Sequence, residues 1–134
     1  IDYSTNNGVG WSDANNIPTN KILYGCAYGN STWIVVGRDG SVLKSTGHED
    51  WSGTLTNPTS RSLYSVIYAG SNKFVSVGYK IVMSTSNGDS SWDIHNTSLT
   101  FYDITYGNSL YVAVTTKEKI YTSTDLSTWT KVHP

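Results

Sequence analysis

Residues 63–94 read LYSVIYAGSNKFVSVGYKIVMSTSNGDSSWDI, in which four short apolar runs are separated by Gly, Asn, Asp and Ser. The runs alternate apolar and polar residues or are rich in β-branched residues, a pattern typical of strands. Glycine and asparagine between the runs tolerate the positive φ angles of hairpin turns. The stretch therefore predicts four antiparallel strands, which we name A to D in chain order.

The four-strand unit repeats along the chain with a period of about 40 residues. Residues 23–52 and 101–130 match it run for run, whereas residues 1–12 match only its second half. A constant four-strand unit fits the blade of a β-propeller better than a sandwich. We therefore predict an all-β fold, a single β-propeller segment of about three and a half four-stranded antiparallel blades. Its parts are the second half of a blade at 1–20 and three blades at 21–60, 61–98 and 99–134.

Strand A of each copy carries aromatic residues at alternate positions. Tyr24, Cys26 and Tyr28 share one face of the first copy's strand A, because side chains on a strand repeat every two residues. We expect that face to be buried between neighbouring blades, with Cys26 acting as a small hydrophobe. Cys26 is the only cysteine, so a disulfide within the chain is excluded.

Each unit ends with a serine and a threonine, a short polar turn and a tryptophan. The flanking serines and tryptophans of the three full copies are Ser45 and Trp51, Ser84 and Trp92, and Ser123 and Trp129. This ending resembles the Asp-box (BNR-like) hairpin of sialidase-type propellers, with Asp125 at the place of the motif's aspartate. In those families the Ser and Asp hydrogen-bond the turn and the Trp packs into the blade. The resemblance therefore implies structural roles for Ser123, Asp125 and Trp129.

The whole unit resembles the bacterial exported propellers related to photosystem II assembly factors. It combines an aromatic strand, such as LYGCAYGN at 23–30, with an apolar strand, such as WIVVG at 33–37, and the closing hairpin. The resemblance implies a secreted or cell-surface protein. Because propeller rings close with roughly four to eight blades, we expect a longer parent chain or several chains in one ring. The half unit at residues 1–12 favours the longer parent.

Composition excludes several classes of function. Charged residues make up 14% of the chain and the net charge is −1, so a nucleic acid partner is not expected. No apolar run approaches the roughly 18 residues that span a bilayer, so membrane insertion is not expected either.

Catalytic and metal sites are not expected in this chain. The sialidases that share the Asp-box need three arginines, and only two are present. The two carboxylates of a glycosidase must face each other across the scissile bond, whereas Glu49 and Asp50 are adjacent in the sequence. The histidines, His48, His95 and His133, occupy unrelated positions of the repeat and lack metal-ligand spacing. We predict no catalytic residue, no metal and no cofactor.

Binding is the remaining class of function, and propellers present the loops between strands D and A and between strands B and C on one face. We assign these loops the candidate ligand-binding residues Arg38, Asp39, Arg61, Tyr79, Lys80, His95, Lys117 and Glu118. Trp33 is added because it replaces the Phe and Tyr of the other copies. The sequence thus predicts a noncatalytic interaction module that binds protein partners, with possible self-association. Two alternatives stay open: a carbohydrate-binding, lectin-like propeller, and the noncatalytic part of a larger glycoside hydrolase.

Overall fold

The computed structural model describes residues 1–53, 55–86, 88, 91–116 and 119–132. Its strands are β1 (Asp2–Tyr3), β2 (Ser12–Asp13), β3 (Leu23–Gly29), β4 (Thr32–Gly37), β5 (Val42–Ser45), β6 (Leu55–Thr56), β7 (Leu63–Tyr68), β8 (Lys73–Gly78), β9 (Ile81–Ser86), β10 (Asp93–Asn96), β11 (Asp103–Gly107), β12 (Leu110–Val114), β13 (Ile120–Ser123) and β14 (Thr130–Val132). One short 3-10 turn, Arg38–Gly40, follows β4.

The strands form three four-stranded antiparallel sheets and one two-stranded sheet. We call β3–β6, β7–β10 and β11–β14 the first, second and third blades, and β1–β2 the half-blade. Strands A and B of each blade are joined by tight turns whose central residues have positive φ, such as Asn108 and Ser109 in the third blade. That backbone twist matches the twist of the paired strands. The predicted all-β fold of four-stranded propeller blades is confirmed.

The core lies between the blades rather than within one sheet. Ile34 and Val36 of the first blade pack with Val66 and Phe74 of the second. The opposite face of the second blade contributes a separate set, which packs with the third blade. The second blade is therefore buried on both faces.

The expected burial of the Tyr24, Cys26 and Tyr28 face is wrong for this blade. Tyr24 is 46% exposed and Tyr28 is 53% exposed, and Cys26 is an exposed thiol. Cys26 lines the space beside the half-blade, where only β1 and β2 are paired among the described residues, whereas Tyr24 packs against Tyr64 of the second blade. At the equivalent place in the second blade Val66 is buried, because a complete blade covers it.

Strand pairing also corrects the position of one turn residue. Ser45 lies opposite Trp33 and Ser123 lies opposite Tyr111. At the same place in the second blade the residue opposite Phe74 is Thr85, and Ser84 pairs one position earlier with Val75. Thr85, not Ser84, is therefore the structural equivalent of the other two serines.

Candidate binding face

The loops between strands D and A and between strands B and C lie together at one end of the blades, which we call the loop face. Backbone hydrogen bonds join them: the Arg38 N–H donates to the Ile22 carbonyl, and the Tyr79 N–H donates to the Ser62 carbonyl, each at 2.9 Å. The Asp39 N–H donates to the Ser62 hydroxyl at 3.3 Å. The first two bonds join the two loops within one blade, and the third joins a loop of the first blade to the second blade.

A row of three tyrosines runs across the inner strands beside the loop face. The ring centroids of Tyr24 and Tyr64 are 5.6 Å apart in an edge-on arrangement. Tyr64 and Tyr102 are stacked at 5.0 Å with ring planes only 2° apart. Tyr24 and Tyr102 are nearly half exposed, at 46% and 47%, so the row has solvent-accessible surface at both ends. We call this row the tyrosine ladder.

A break in strand pairing places the ladder at the inner edge. The β3–β4 register shifts between Leu23 and Gly25, and the β7–β8 register shifts between Leu63 and Ser65. The extra residue of each bulge turns the tyrosine away from the blade face. Leu63 and Val66, three residues apart, are consequently both in the core between the first two blades.

The pKa of the Tyr64 hydroxyl is affected by its position between the other tyrosines. Partial burial raises the pKa of its hydroxyl, and the neighbouring Tyr102, Tyr24 and Tyr79 add to the rise. A neutral hydroxyl on Tyr64 can donate and accept hydrogen bonds at physiological pH.

Two predicted candidates, Arg61 and Lys80, meet beside the ladder. An Arg61 guanidinium nitrogen donates to the Lys80 carbonyl at 2.6 Å and to the Asn96 amide oxygen at 3.2 Å. The Lys80 ammonium lies 5.4 Å from the centroid of the Tyr79 ring, within cation–π range. Arg61 therefore stabilises the loop that contains Tyr79 and Lys80.

Arg38 and Asp39 are the next pair along the loop face. The Asp39 carboxylate lies 3.2 Å from the Lys21 ammonium and 3.8 Å from Nε of Arg38. All three side chains are substantially exposed, so these ion pairs contribute little to stability. Lys21 and Arg38 carry two positive charges and Asp39 only one negative charge, so this group of three residues has a net positive charge.

Charge is distributed unequally between the two ends of the blades. Among the described residues, the loops of this face carry five cations, Lys21, Arg38, Arg61, Lys80 and Lys119, and one carboxylate, Asp39. At the other end, the turns between strands C and D carry Glu49, Asp50 and Asp125. The loop face is therefore cationic, although the chain as a whole has a net charge of −1.

Asp103 is the acidic residue nearest the ladder. Its carboxylate accepts a hydrogen bond from the Ser65 hydroxyl at 2.6 Å and from the Ile104 N–H at 2.9 Å. The first of these bonds crosses from the second blade to the third. Asp103 is thus engaged in holding two inner strands together.

Two of the predicted candidates lie away from the loop face. His95 lies in strand β10, not in a loop, and its ring nitrogens approach the Ser84 hydroxyl at 3.4 Å and the Ser127 hydroxyl at 3.0 Å. Trp33 lies near the start of β4, where its ring is 4.6 Å from that of Tyr28. Its side chain is half-buried. Lys117 and Glu118 lie outside the described residues.

The turn between β13 and β14 is a compact hydrogen-bonded unit at the opposite end. The Ser123 hydroxyl accepts from the Leu126 N–H at 2.9 Å, and Oδ1 of Asp125 accepts from the Thr128 N–H at 2.7 Å. The Trp129 indole N–H donates to the Leu126 carbonyl at 3.0 Å. Ser123, Asp125 and Trp129 thus all make hydrogen bonds within this turn.

The described part of the chain offers neither a metal-binding cluster nor a membrane-spanning helix. It contains no cluster of three or more His, Cys, Asp or Glu side chains placed to hold a metal ion. It also contains no helix of the length and apolar character needed to cross a membrane.

Comparison with known proteins gives structural matches only. No protein-family model matches the chain, and no curated protein does. The structure of YCF48 from Cyanidioschyzon merolae superposes with a TM-score of 0.72 at 17% identity, over 87% of this chain and 38% of that one. The structure of YCF48 bound to D1 peptide gives the same TM-score at 22% identity, over 86% and 42% of the two chains.

A computationally designed protein, Ika4, superposes with a TM-score of 0.61 at 12% identity, over 88% of this chain and 75% of that one. The present chain spans about two fifths of the length of the YCF48 structures. At these identities the likeness concerns the fold. The chain has a β-propeller fold like that of YCF48.

Proposed function

We propose that the chain is a noncatalytic propeller module whose loop face binds an extended, acidic segment of a partner protein. The observation that carries the proposal is the exposed tyrosine ladder flanked by Arg61, Lys80 and Arg38. Tyrosine supplies large, rigid contact area at low entropic cost, and arginine and lysine supply complementary charge. YCF48, which has the same fold, has been solved bound to D1 peptide.

The arrangement of the ladder favours a peptide over a sugar. A sugar ring stacks on an open aromatic face, and Tyr64 and Tyr102 cover one face of each other by stacking at 5.0 Å. Their exposed edges and hydroxyls suit hydrogen bonds and side-chain contacts along an extended chain. Export to the cell surface and closure of a ring by several chains stay predictions of the sequence.

The test is fluorescence anisotropy with two labelled ten-residue peptides, one alternating Asp with apolar residues and one with Lys in place of each Asp. We expect the acidic peptide to bind more tightly and to lose affinity as salt is added, because added ions screen exposed charges. Lys80→Glu should weaken its binding roughly tenfold, as expected for loss of about 1.4 kcal/mol.

The matched control is Lys73→Glu, since Lys73 is exposed in the second blade at the end opposite the loop face. That variant should bind the acidic peptide like the parent protein. Equal binding of the two peptides, or equal weakening by the two substitutions, would contradict the proposal. Binding of neither peptide, together with selective signals on a glycan array, would favour the lectin alternative.

A further inference from the structure

Among the described residues, tyrosine rings contact one another in three pairs. Tyr64 and Tyr102 are stacked, with centroids 5.0 Å apart and ring planes 2° apart. Tyr24 and Tyr64 meet edge-on at 5.6 Å, with planes 73° apart. Tyr106 and Tyr111 lie 4.5 Å apart with planes 39° apart. Tyr64 and Tyr102 are therefore the described pair whose rings face each other in parallel.

Hydrogen bonds hold the backbone beside this stacked pair. Tyr64 lies in β7 of the second blade, and Tyr102 directly precedes β11 of the third. The residues that follow the two tyrosines are joined, since the Ser65 hydroxyl donates to the Asp103 carboxylate at 2.6 Å. The Tyr102 N–H donates to the Val114 carbonyl at 2.9 Å. The two rings therefore extend from backbone segments that are fixed relative to one another.

Parallel tyrosine rings have a specific oxidative chemistry. A phenol that loses one electron and its hydroxyl proton becomes a phenoxyl radical, whose unpaired electron is shared by the oxygen and the ring carbons ortho to it. Two such radicals couple through p orbitals that stand perpendicular to the rings. The facing rings of Tyr64 and Tyr102 allow these orbitals to overlap, whereas the edge-on rings of Tyr24 and Tyr64 do not.

The pair formed by Tyr106 and Tyr111 is less suited to the same reaction. Its rings are tilted by 39°, and Tyr111 is buried with only 5% of its surface exposed. The Tyr111 phenol consequently has little access to a water molecule that could take up its hydroxyl proton. Tyr64 is half-buried and Tyr102 is exposed, so water reaches both members of the stacked pair.

We propose that Tyr64 and Tyr102 form a dityrosine modification site, at which a peroxide-driven one-electron oxidant joins the second blade covalently to the third. The oxidant removes one electron from each phenol, and each phenol releases its hydroxyl proton to water. The two radicals form one carbon–carbon bond between ortho carbons, and the two ortho hydrogens move to the oxygens as the rings become aromatic again. The two tyrosines thereby lose two electrons and two protons, which reduce one hydrogen peroxide to two waters.

The position of this bond determines its effect on stability. Tyr64 and Tyr102 are about one repeat apart, so the bond closes a loop of roughly 40 residues and restricts the unfolded chain strongly. A bond between Tyr106 and Tyr111 would close only about six residues within one hairpin and would restrict the unfolded chain far less. Oxidation at the stacked pair therefore stabilises the folded protein.

The test is oxidation of the whole chain by a haem peroxidase and hydrogen peroxide, at a protein concentration low enough to disfavour bonds between chains. We expect a monomeric product that is two hydrogens lighter than the parent chain and has the blue fluorescence of dityrosine. Trypsin separates the two tyrosines, because Lys73 and Lys80 lie between them. Tandem mass spectrometry of the linked peptides should assign the bond to Tyr64 and Tyr102, and the purified product should unfold at a higher urea concentration.

Tyr102→Phe keeps a stacking ring but cannot form a phenoxyl radical, so it should lose most of the dityrosine yield. The matched control is Tyr106→Phe, which also replaces an exposed tyrosine of the third blade by phenylalanine. That variant should give the same yield as the parent chain. Both substitutions remove only a hydroxyl group from an exposed side chain, so both variants should fold.

Assignment of the bond to Tyr106 and Tyr111, or to Tyr24 and Tyr64, would overturn the proposal. So would equal dityrosine yields from the two phenylalanine variants. Products that carry only added oxygen, or only bonds between chains, would overturn it as well, because the stacked pair would then not react ahead of other exposed side chains. Oxidation is carried out without the acidic peptide, so the result is independent of the proposed function of the loop face.

Discussion

The Asp125 carboxylate has an unusually favourable set of local hydrogen-bond donors. The Thr128 and Ser127 backbone N–H groups lower its pKa to about 2. Asn6 occupies the same place in the half-blade turn, where its amide oxygen accepts from the Gly10 N–H at 2.8 Å. The two turns thus differ in that Asp125 is a charged acceptor and Asn6 is a neutral acceptor of the same shape.

The comparison predicts a difference in acid stability. Because the folded pKa of Asp125 is below its ordinary value of 3.8, the stability it contributes is present above about pH 4 and is lost as pH falls toward 2. Asp125→Asn should keep the acceptor but flatten the loss of stability over this range, and Asn6→Asp should steepen it. Urea denaturation at several pH values from 2 to 6 measures both. An acid loss unchanged in Asp125→Asn would show that other carboxylates cause it.

At the scale of the strand, one glycine controls how closely two blades approach. Gly29 is buried under Tyr68, whereas Gly107, its equivalent in the third blade, has no atom within 4 Å of an added Cβ. Neither glycine has a positive φ that would itself exclude alanine. Alanine substitutions at the two glycines therefore distinguish an effect of packing from an effect of backbone conformation.

Gly29→Ala should destabilise the protein by about 1–3 kcal/mol, the usual cost of overpacking a core. Gly107→Ala should be neutral or slightly stabilising, because it reduces the freedom of the unfolded chain. Equilibrium denaturation of both variants checks the difference. Tyr68→Ala in the Gly29→Ala background should recover part of the loss through coupling of the two residues. Equal effects of the two glycine substitutions would contradict the packing argument.

Strand order and pairing follow from the sequence, since each hairpin turn lies between two recognisable apolar runs. Which face each residue takes does not follow where a bulge interrupts the two-residue period. A recurrent apolar pair three residues apart, such as Leu63 and Val66 or Phe101 and Ile104, is the signal that could have revealed the bulge. The same bulge at Tyr24 of the first blade would then have moved that residue from the predicted buried face to the exposed ladder.

The predicted equivalence of Ser84 and Ser45 is wrong for a related reason. Matching the Ser-Thr pair as a string aligns Ser84 with Ser45, but the pairing partner Phe74 selects Thr85. The loop between strands B and C contains Arg38–Ser41 in the first blade and only Tyr79 and Lys80 in the second. Register is set by strand pairing across that loop, so local sequence similarity does not determine it.

At the scale of the whole molecule, the sequence predicts a loop face but not its charge. A net charge of −1 for the whole chain does not reveal that cations outnumber carboxylates in the loops at one end, whereas the C–D turns at the other end carry carboxylates. The candidates Arg38, Asp39, Arg61, Tyr79 and Lys80 do lie on this face. The tyrosines that make it a continuous surface could be found only from the contacts between blades.

The serial arrangement of blades also predicts unequal local stability. The second blade is covered on both faces, and Phe74, Val75, Ser76 and Val77 of β8 are fully buried. Among the described residues, strands β1 and β2 pair only with each other, and the outward face of the third blade leaves Val114 39% exposed and Ile120 44% exposed. In repeat proteins each unit is stabilised mainly by its neighbours, so opening should begin at the two ends.

Native-state amide exchange followed by mass spectrometry should therefore find β8 and β9 slowest, β12 faster, and β1 and β2 fastest. Gly29→Ala should accelerate exchange in the first blade more than in the third, because it weakens the interface that joins the first blade to the second. Gly107→Ala serves as the matched control and should leave this order unchanged. One common rate for all strands would instead mean that the blades open together, and that their interfaces are stronger than the differences in burial indicate.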